Sequence, residues 1–198
     1  MSLEELREQN IRLVTEKALE CFIKNGINNT RVSEIAAESG LTQRSVFRYF
    51  PSKDDIVIAA AFCYWERTKA YIARELRRHT DDAQTGIEQI NIILNSYANM
   101  LFVDPEGIRF SLDAEVALYS VGKNAHVINR PPERYETYKG PLSQAVRRGL
   151  ADGTVDPGAN IKQLYYNAYD SILKDVKHSS LEAEARVEQA SHQDTQEQ

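Results

Sequence analysis

The chain has 198 residues, 42% of them hydrophobic, which is enough for a real core in one domain or two small ones. Its net charge of −5 limits indiscriminate sticking to nucleic acid, and no apolar run approaches the roughly eighteen residues that a membrane span requires. Cys21 and Cys63 lie far apart inside apolar helical patterns, so they read as small buried thiols rather than a disulfide or metal pair. The acidic start Met1-Ser2-Leu3-Glu4-Glu5 is no secretory signal, and the expected compartment is the cytoplasm. Hydrophobic spacing predicts a first helix over Leu3 to Asn25, with Leu6, Val14, Ala18, Cys21 and Phe22 on its inner side. A short amphipathic helix follows from Arg31 to Ser39, where Val32, Ile35 and Ala36 share one face. Gly40 stands where the chain must leave that helix through a left-handed position, Leu41 seals the turn, and Thr42 suits the N-cap of a helix ending at Phe50. Pro51 stops it. Ser52 then caps a long helix to about His79 that opens with Lys53-Asp54-Asp55, two carboxylates at the positive end of the dipole.

Two short helices joined by a Gly-containing turn, the second rich in Gln, Arg, Ser and aromatic side chains, form the pattern of a helix-turn-helix that presents a reading helix to DNA. Val46 and Phe50 lie four apart and face inward, which leaves Gln43, Arg44, Ser45, Phe47, Arg48 and Tyr49 over the outer face and its edges. Gln and Arg make paired hydrogen bonds to adenine and guanine edges, whereas Ser and Tyr commonly bond phosphate oxygens. Charge is distributed to match. From Lys24 to Lys53 there are five cations against two anions, a local +3, while residues 54–198 carry sixteen cations against twenty-two anions, a −6. So few phosphate partners per subunit call for two heads on one operator, and hence a homodimer.

The block from about Leu13 to Asp55 resembles the N-terminal DNA-binding domain of the TetR family of bacterial one-component regulators. The resemblance is carried by Ala18-Leu19-Glu20-Cys21-Phe22 with Gly26, Thr30 through Ala36, Gly40-Leu41-Thr42, Val46-Phe47-Arg48-Tyr49-Phe50, and Ser52-Lys53. It implies base contacts from Gln43, Arg44, Ser45 and Phe47, with Ser33 added from the preceding helix. Phosphate contacts would fall on Thr30, Thr42, Tyr49 and Lys53. Arg31 departs from the family, which often has a second small hydroxyl residue there.

Beyond the head, helical spacing continues over Thr85 to Phe102, from Asp104 to about Ser120, over Glu133 to Ala151, and from Asn160 to Lys177. Val121-Gly122-Lys123-Asn124 and Arg130-Pro131-Pro132 punctuate an irregular stretch, and Gly149 through Pro157 looks like the family's connector between its last long helices. Ile161, Leu164, Tyr165, Ala168, Ile172 and Val176 make an apolar stripe suited to one side of an intersubunit four-helix bundle; ordinary intrachain core is the alternative. TetR-like proteins hold a small-molecule effector among the helices after the head. Trp65, Tyr97, Met100, Phe110, Tyr119 and Tyr138 are the candidates to line it, with Phe102 also in view and Asn99, Arg109, Glu115 and His126 as polar anchors. After His178 the chain turns polar.

The expected fold is all-α: a three-helix DNA-binding domain at 1–53, a helical effector-binding and dimerisation domain at 54–178, and a polar tail at 179–198. The expected function is a homodimeric repressor released from a palindromic double-stranded operator by a small molecule, with no cofactor, metal or membrane. An activator, or an interaction adaptor that has lost DNA binding, is the alternative. An enzyme is disfavoured, because His79, His126, His178 and His192 show no metal-ligand spacing and neither a Gly-rich phosphate loop nor a nucleophile motif stands out.

Overall fold

The computed structural model describes residues 2–79, 81, 84–120, 141–160, 163 and 167, and among these it contains seven helices and no strand. They are α1 (Leu3–Asn25), α2 (Val32–Glu38), α3 (Gln43–Tyr49), α4 (Lys53–His79), α5 (Gly86–Val103), α6 (Pro105–Ser120) and α7 (Pro141–Asp152). The first six follow the expected spans to within one residue. The stretches 133–140 and 161–177, apart from Gln163 and Asn167, lie outside the described residues, as does the tail at 179–198.

Local chemistry starts these helices. Ser2 Oγ accepts from the Glu5 amide at 3.1 Å while the Glu5 carboxylate accepts from the Ser2 amide at 2.7 Å, a reciprocal cap for α1. Ser52 and Asp55 do the same for α4, and Thr85 and Glu88 for α5. Between α2 and α3 the Gly40 φ is +65°. A Cβ built there would meet nothing within 4 Å, so backbone conformation rather than space requires glycine. The Leu41 amide donates to the Ala36 carbonyl at 2.9 Å and closes the turn.

One apolar core runs across residue 53. Val14, Leu19 and Phe22 of α1, Ile35 of α2, Val46 of α3, Val57 and Tyr64 of α4, Met100 of α5, and Ile108, Phe110 and Ala114 of α6 belong to it. Phe110 stacks on Phe22, ring centroids 6.0 Å apart, and meets Tyr64 edge-on at 6.2 Å. Leu6 is the exception on α1. It is 41% exposed, because the first turns of that helix project past the neighbours that bury Val14 and Ala18. A second core joins Trp65 and Ile72 of α4 to Ile93 and Tyr97 of α5 and to Leu142 and Ala145 of α7.

Asp152, at the end of α7, caps α5 from 66 positions away by accepting from the Gly86 amide at 2.7 Å. It also accepts from the Thr154 amide at 3.0 Å, while Thr154 Oγ1 accepts from the Ile87 amide at 3.2 Å. The bonds from the Thr154 hydroxyl and the Gly86 amide hold the Asp152 carboxyl below the usual carboxylate range. A carboxyl depressed in the folded state stabilises above its unfolded pKa, about 4, and that contribution disappears as pH falls through the lower folded value. Thermal melting of Asp152→Asn should therefore differ from the unaltered protein above about pH 5, the difference fading as pH falls through that lowered folded value. A difference independent of pH would remove the carboxylate from this account.

Candidate nucleic-acid interface and ligand core

The helix that would read DNA is only seven residues long, so its orientation depends on its anchors. Val46 is fully buried and Phe50 is 7% exposed, which fixes one face of α3 against the core. Thr42 Oγ1 accepts from the Ser45 amide at 3.1 Å and lies 3.0 Å from the Ser45 hydroxyl, so the start of the helix is capped as expected. The opposite face carries Gln43, Arg44, Phe47 and Arg48, all exposed, with Ser45 and Tyr49 half-buried at its edges. Ser33, on α2, is exposed too. Such a face presents two guanidiniums, one carboxamide and one apolar ring. Those groups match guanine, adenine and the thymine methyl in a major groove about 12 Å wide.

Two expected phosphate contacts have other engagements. Thr30 is 1% exposed, and its hydroxyl reaches the carbonyls of Gly26 at 2.8 Å and Cys21 at 3.2 Å. That places its side chain inside the turn between α1 and α2, where it holds the chain rather than facing solvent. Lys53 is half-buried, and its ammonium reaches the Asn28 carbonyl at 3.5 Å. Burial lowers its pKa, partly offset by Asp54 and Glu34. Asn10 of α1 was not expected at this surface, yet its side-chain amide donates to the Tyr49 hydroxyl at 3.1 Å. No local sequence signal could have found that pairing.

The candidate ligand residues divide between the two cores. Trp65 and Tyr97 come together, nearly parallel at 10° with ring centroids 6.3 Å apart. Met100 and Phe110 belong instead to the core beneath the DNA head, and Phe102 is 84% exposed. Tyr119 lies in α6, while Tyr138, His126 and the stripe Ile161, Leu164, Tyr165, Ala168, Ile172 and Val176 lie outside the described residues. Trp65 is 8% exposed, and its indole N–H has no hydrogen-bond acceptor among the described residues. A buried donor left unmade costs about 1–3 kcal/mol, so this one is poised for an acceptor. Cys21 and Cys63 are free thiols whose pKa values burial pushes up, as packing residues would have. Among the described residues no group of His, Cys, Asp or Glu could hold a metal ion, and no helix is long and apolar enough to cross a membrane.

A capped, core-anchored α3 whose polar face is turned outward behind a glycine turn defines a helix-turn-helix DNA-binding protein. Residues 14–60 match the bacterial regulatory proteins of the tetR family. The matched segment runs from the middle of α1 through α2 and α3 into the first turns of α4, so the DNA-binding head is similar to that of the tetR-family regulators. It is 30% identical over 90 residues to the uncharacterized HTH-type transcriptional regulator YuxN of Bacillus subtilis (strain 168); this match spans 46% of the chain and 30% of that relative's length. With the fatty acid metabolism regulator protein of the same organism it is 21% identical over 163 residues, 81% of this chain and 79% of the other. A crystal structure of the regulator FadR from Bacillus subtilis in complex with stearoyl-CoA has the same fold, with a TM-score of 0.61 at 18% identity over 87% of this chain and 88% of that one.

Proposed function

We propose that the protein is a homodimeric repressor that grips a palindromic operator with two copies of α3 and lets go when an acyl-CoA binds between α4, α5 and α7. The observation that carries the first half is the exposed Gln43, Arg44, Phe47 and Arg48 face on a helix whose other face is fully anchored by Val46. In this reading Gln43, Arg44, Ser45, Phe47 and Ser33 contact bases. Thr42, Arg48, Tyr49 and Lys53 contact phosphates, and the stripe from Ile161 to Val176 joins the subunits. The effector class is supported by the stearoyl-CoA held by FadR and by the fatty acid metabolism regulator among the relatives.

Coupling follows from two neighbours on α4. Tyr64 packs against Phe110 in the core that includes α1 and α3, while its neighbour Trp65 belongs to the second core. A ligand that shifts Trp65 moves α4, and α4 carries the displacement over about 18 Å of helix, from Trp65 to Lys53, toward the head. Half-sites lie roughly 34 Å apart, so a small change in head spacing disengages one α3. Trp65→Phe keeps most of the ring and loses the N–H. It should leave DNA affinity unchanged and weaken stearoyl-CoA binding by about tenfold in calorimetry. The whole reading is tested by selecting duplexes from a random library, then titrating stearoyl-CoA into the complex with the recovered sequence. Recovery of a palindrome, released by micromolar acyl-CoA, is the expected result. Failure to enrich any sequence would end the operator proposal, and release by no acyl-CoA would end the effector half.

A further inference from the structure

Tyr49, the last residue of α3, is held from two sides. The Asn10 amide donates to its phenolic oxygen at 3.1 Å, and the Arg48 guanidinium lies 5.5 Å from its ring centroid. The helix end that supplies Asn10 otherwise contributes little to the core. Residues 2–9 are all exposed, and Leu3 is 89% exposed. Local interactions sustain those turns: the Ser2–Glu5 cap and the exposed pairs Arg7–Glu4 and Arg12–Glu8. What they deliver to the rest of the molecule is the half-buried Asn10 and its bond to the reading helix, 39 positions away.

The direction of that bond has a consequence for DNA. A phenol oxygen that accepts from an amide keeps its own proton for another acceptor, and accepting one bond makes it a better donor. We propose that Asn10 is a positioning residue for DNA binding, holding the Tyr49 hydroxyl so that its proton is available to a phosphate oxygen. This rests on the DNA-reading assignment above and extends the DNA-binding machinery to the amino end of α1.

The test is a double-mutant cycle on the full chain. Its probe is a fluorescein-labelled duplex selected from a random library by the unaltered protein, read by anisotropy across a salt series. Asn10→Ala should weaken binding about threefold to tenfold, and Tyr49→Phe by a similar factor. The double variant should be no weaker than Tyr49→Phe alone. Because a neutral donor is lost, the slope of log Kd against log salt should stay unchanged while the whole line shifts. Alanine is the better helix former, so fraying of α1 cannot mimic the loss, and an unchanged melting temperature confirms this. Wild-type affinity in Asn10→Ala, fully additive losses, or no effect of Tyr49→Phe each overturns the proposal while leaving sequence-specific binding standing. If the unaltered protein selects no duplex, the DNA-reading assignment itself fails, which is a separate outcome.

Discussion

Arg44→Ala should erase discrimination at one base pair of each half-site, at a cost of about 1–3 kcal/mol against the preferred base. Arg44 sits in the first turn of α3, exposed, with the backbone beneath it fixed by the Thr42 cap and the buried Val46. A guanidinium so placed can bond guanine O6 and N7 together, and alanine offers nothing in return. Binding to duplexes altered at that position should fall little further, so the preference flattens instead of the whole affinity curve dropping. Lys53→Gln should behave in the opposite way. It removes a cation near the backbone, so all sequences weaken alike and the salt slope drops by about one. The present Lys53 bond to the Asn28 carbonyl is long at 3.5 Å, and exchanging it for a phosphate loses little. Anisotropy with the selected duplex and its single-base variants separates the two effects. Uniform loss across all variants in Arg44→Ala would move that residue from the base-reading set to the phosphate set.

Gly86→Ala should destabilise the protein by about 3 kcal/mol, lowering the melting temperature by roughly 6–12 °C. A Cβ built on Gly86 falls within the van der Waals radii of the Gly149 N and Cα atoms and lies 2.6 Å from the Ala145 carbonyl oxygen. Those are backbone atoms of α7, so no side chain can swing aside. Helix α7 must move off α5, which strains the Asp152 bond to the Gly86 amide and loosens Leu142 and Ala145 in the second core. Gly40→Ala makes the contrast. Nothing obstructs its Cβ, and only the left-handed φ of +65° opposes it, a cost of about 1 kcal/mol. Equal melting temperatures for the two variants would mean that the α5–α7 contact yields more easily than its geometry allows. Loss of acyl-CoA response in Gly86→Ala at temperatures where DNA binding survives would accord with the second core as the effector site.

The reading helix and its frame were determined by the sequence itself, because their signals are local. Thr42 three residues before Ser45, Gly40 at a left-handed turn, and Val32, Ile35 and Ala36 on one face each act within a turn or two of chain, where spacing alone dictates geometry. Tertiary structure decided what depends on distant partners. Periodicity marked Phe110, Met100, Trp65 and Tyr97 alike as helical aromatic or apolar positions, and only packing sent the first two beneath the DNA head and the latter two against α7. Thr30 looks like a surface hydroxyl in sequence, and the carbonyls of Gly26 and Cys21 draw it inside. The Asp152 cap on α5 spans 66 positions and the Asn10 bond to Tyr49 spans 39, so neither leaves a trace in any local window. Helix formation answers to neighbours along the chain, whereas side-chain burial and long-range hydrogen bonding answer to neighbours in space, and the latter exist only once the helices have packed.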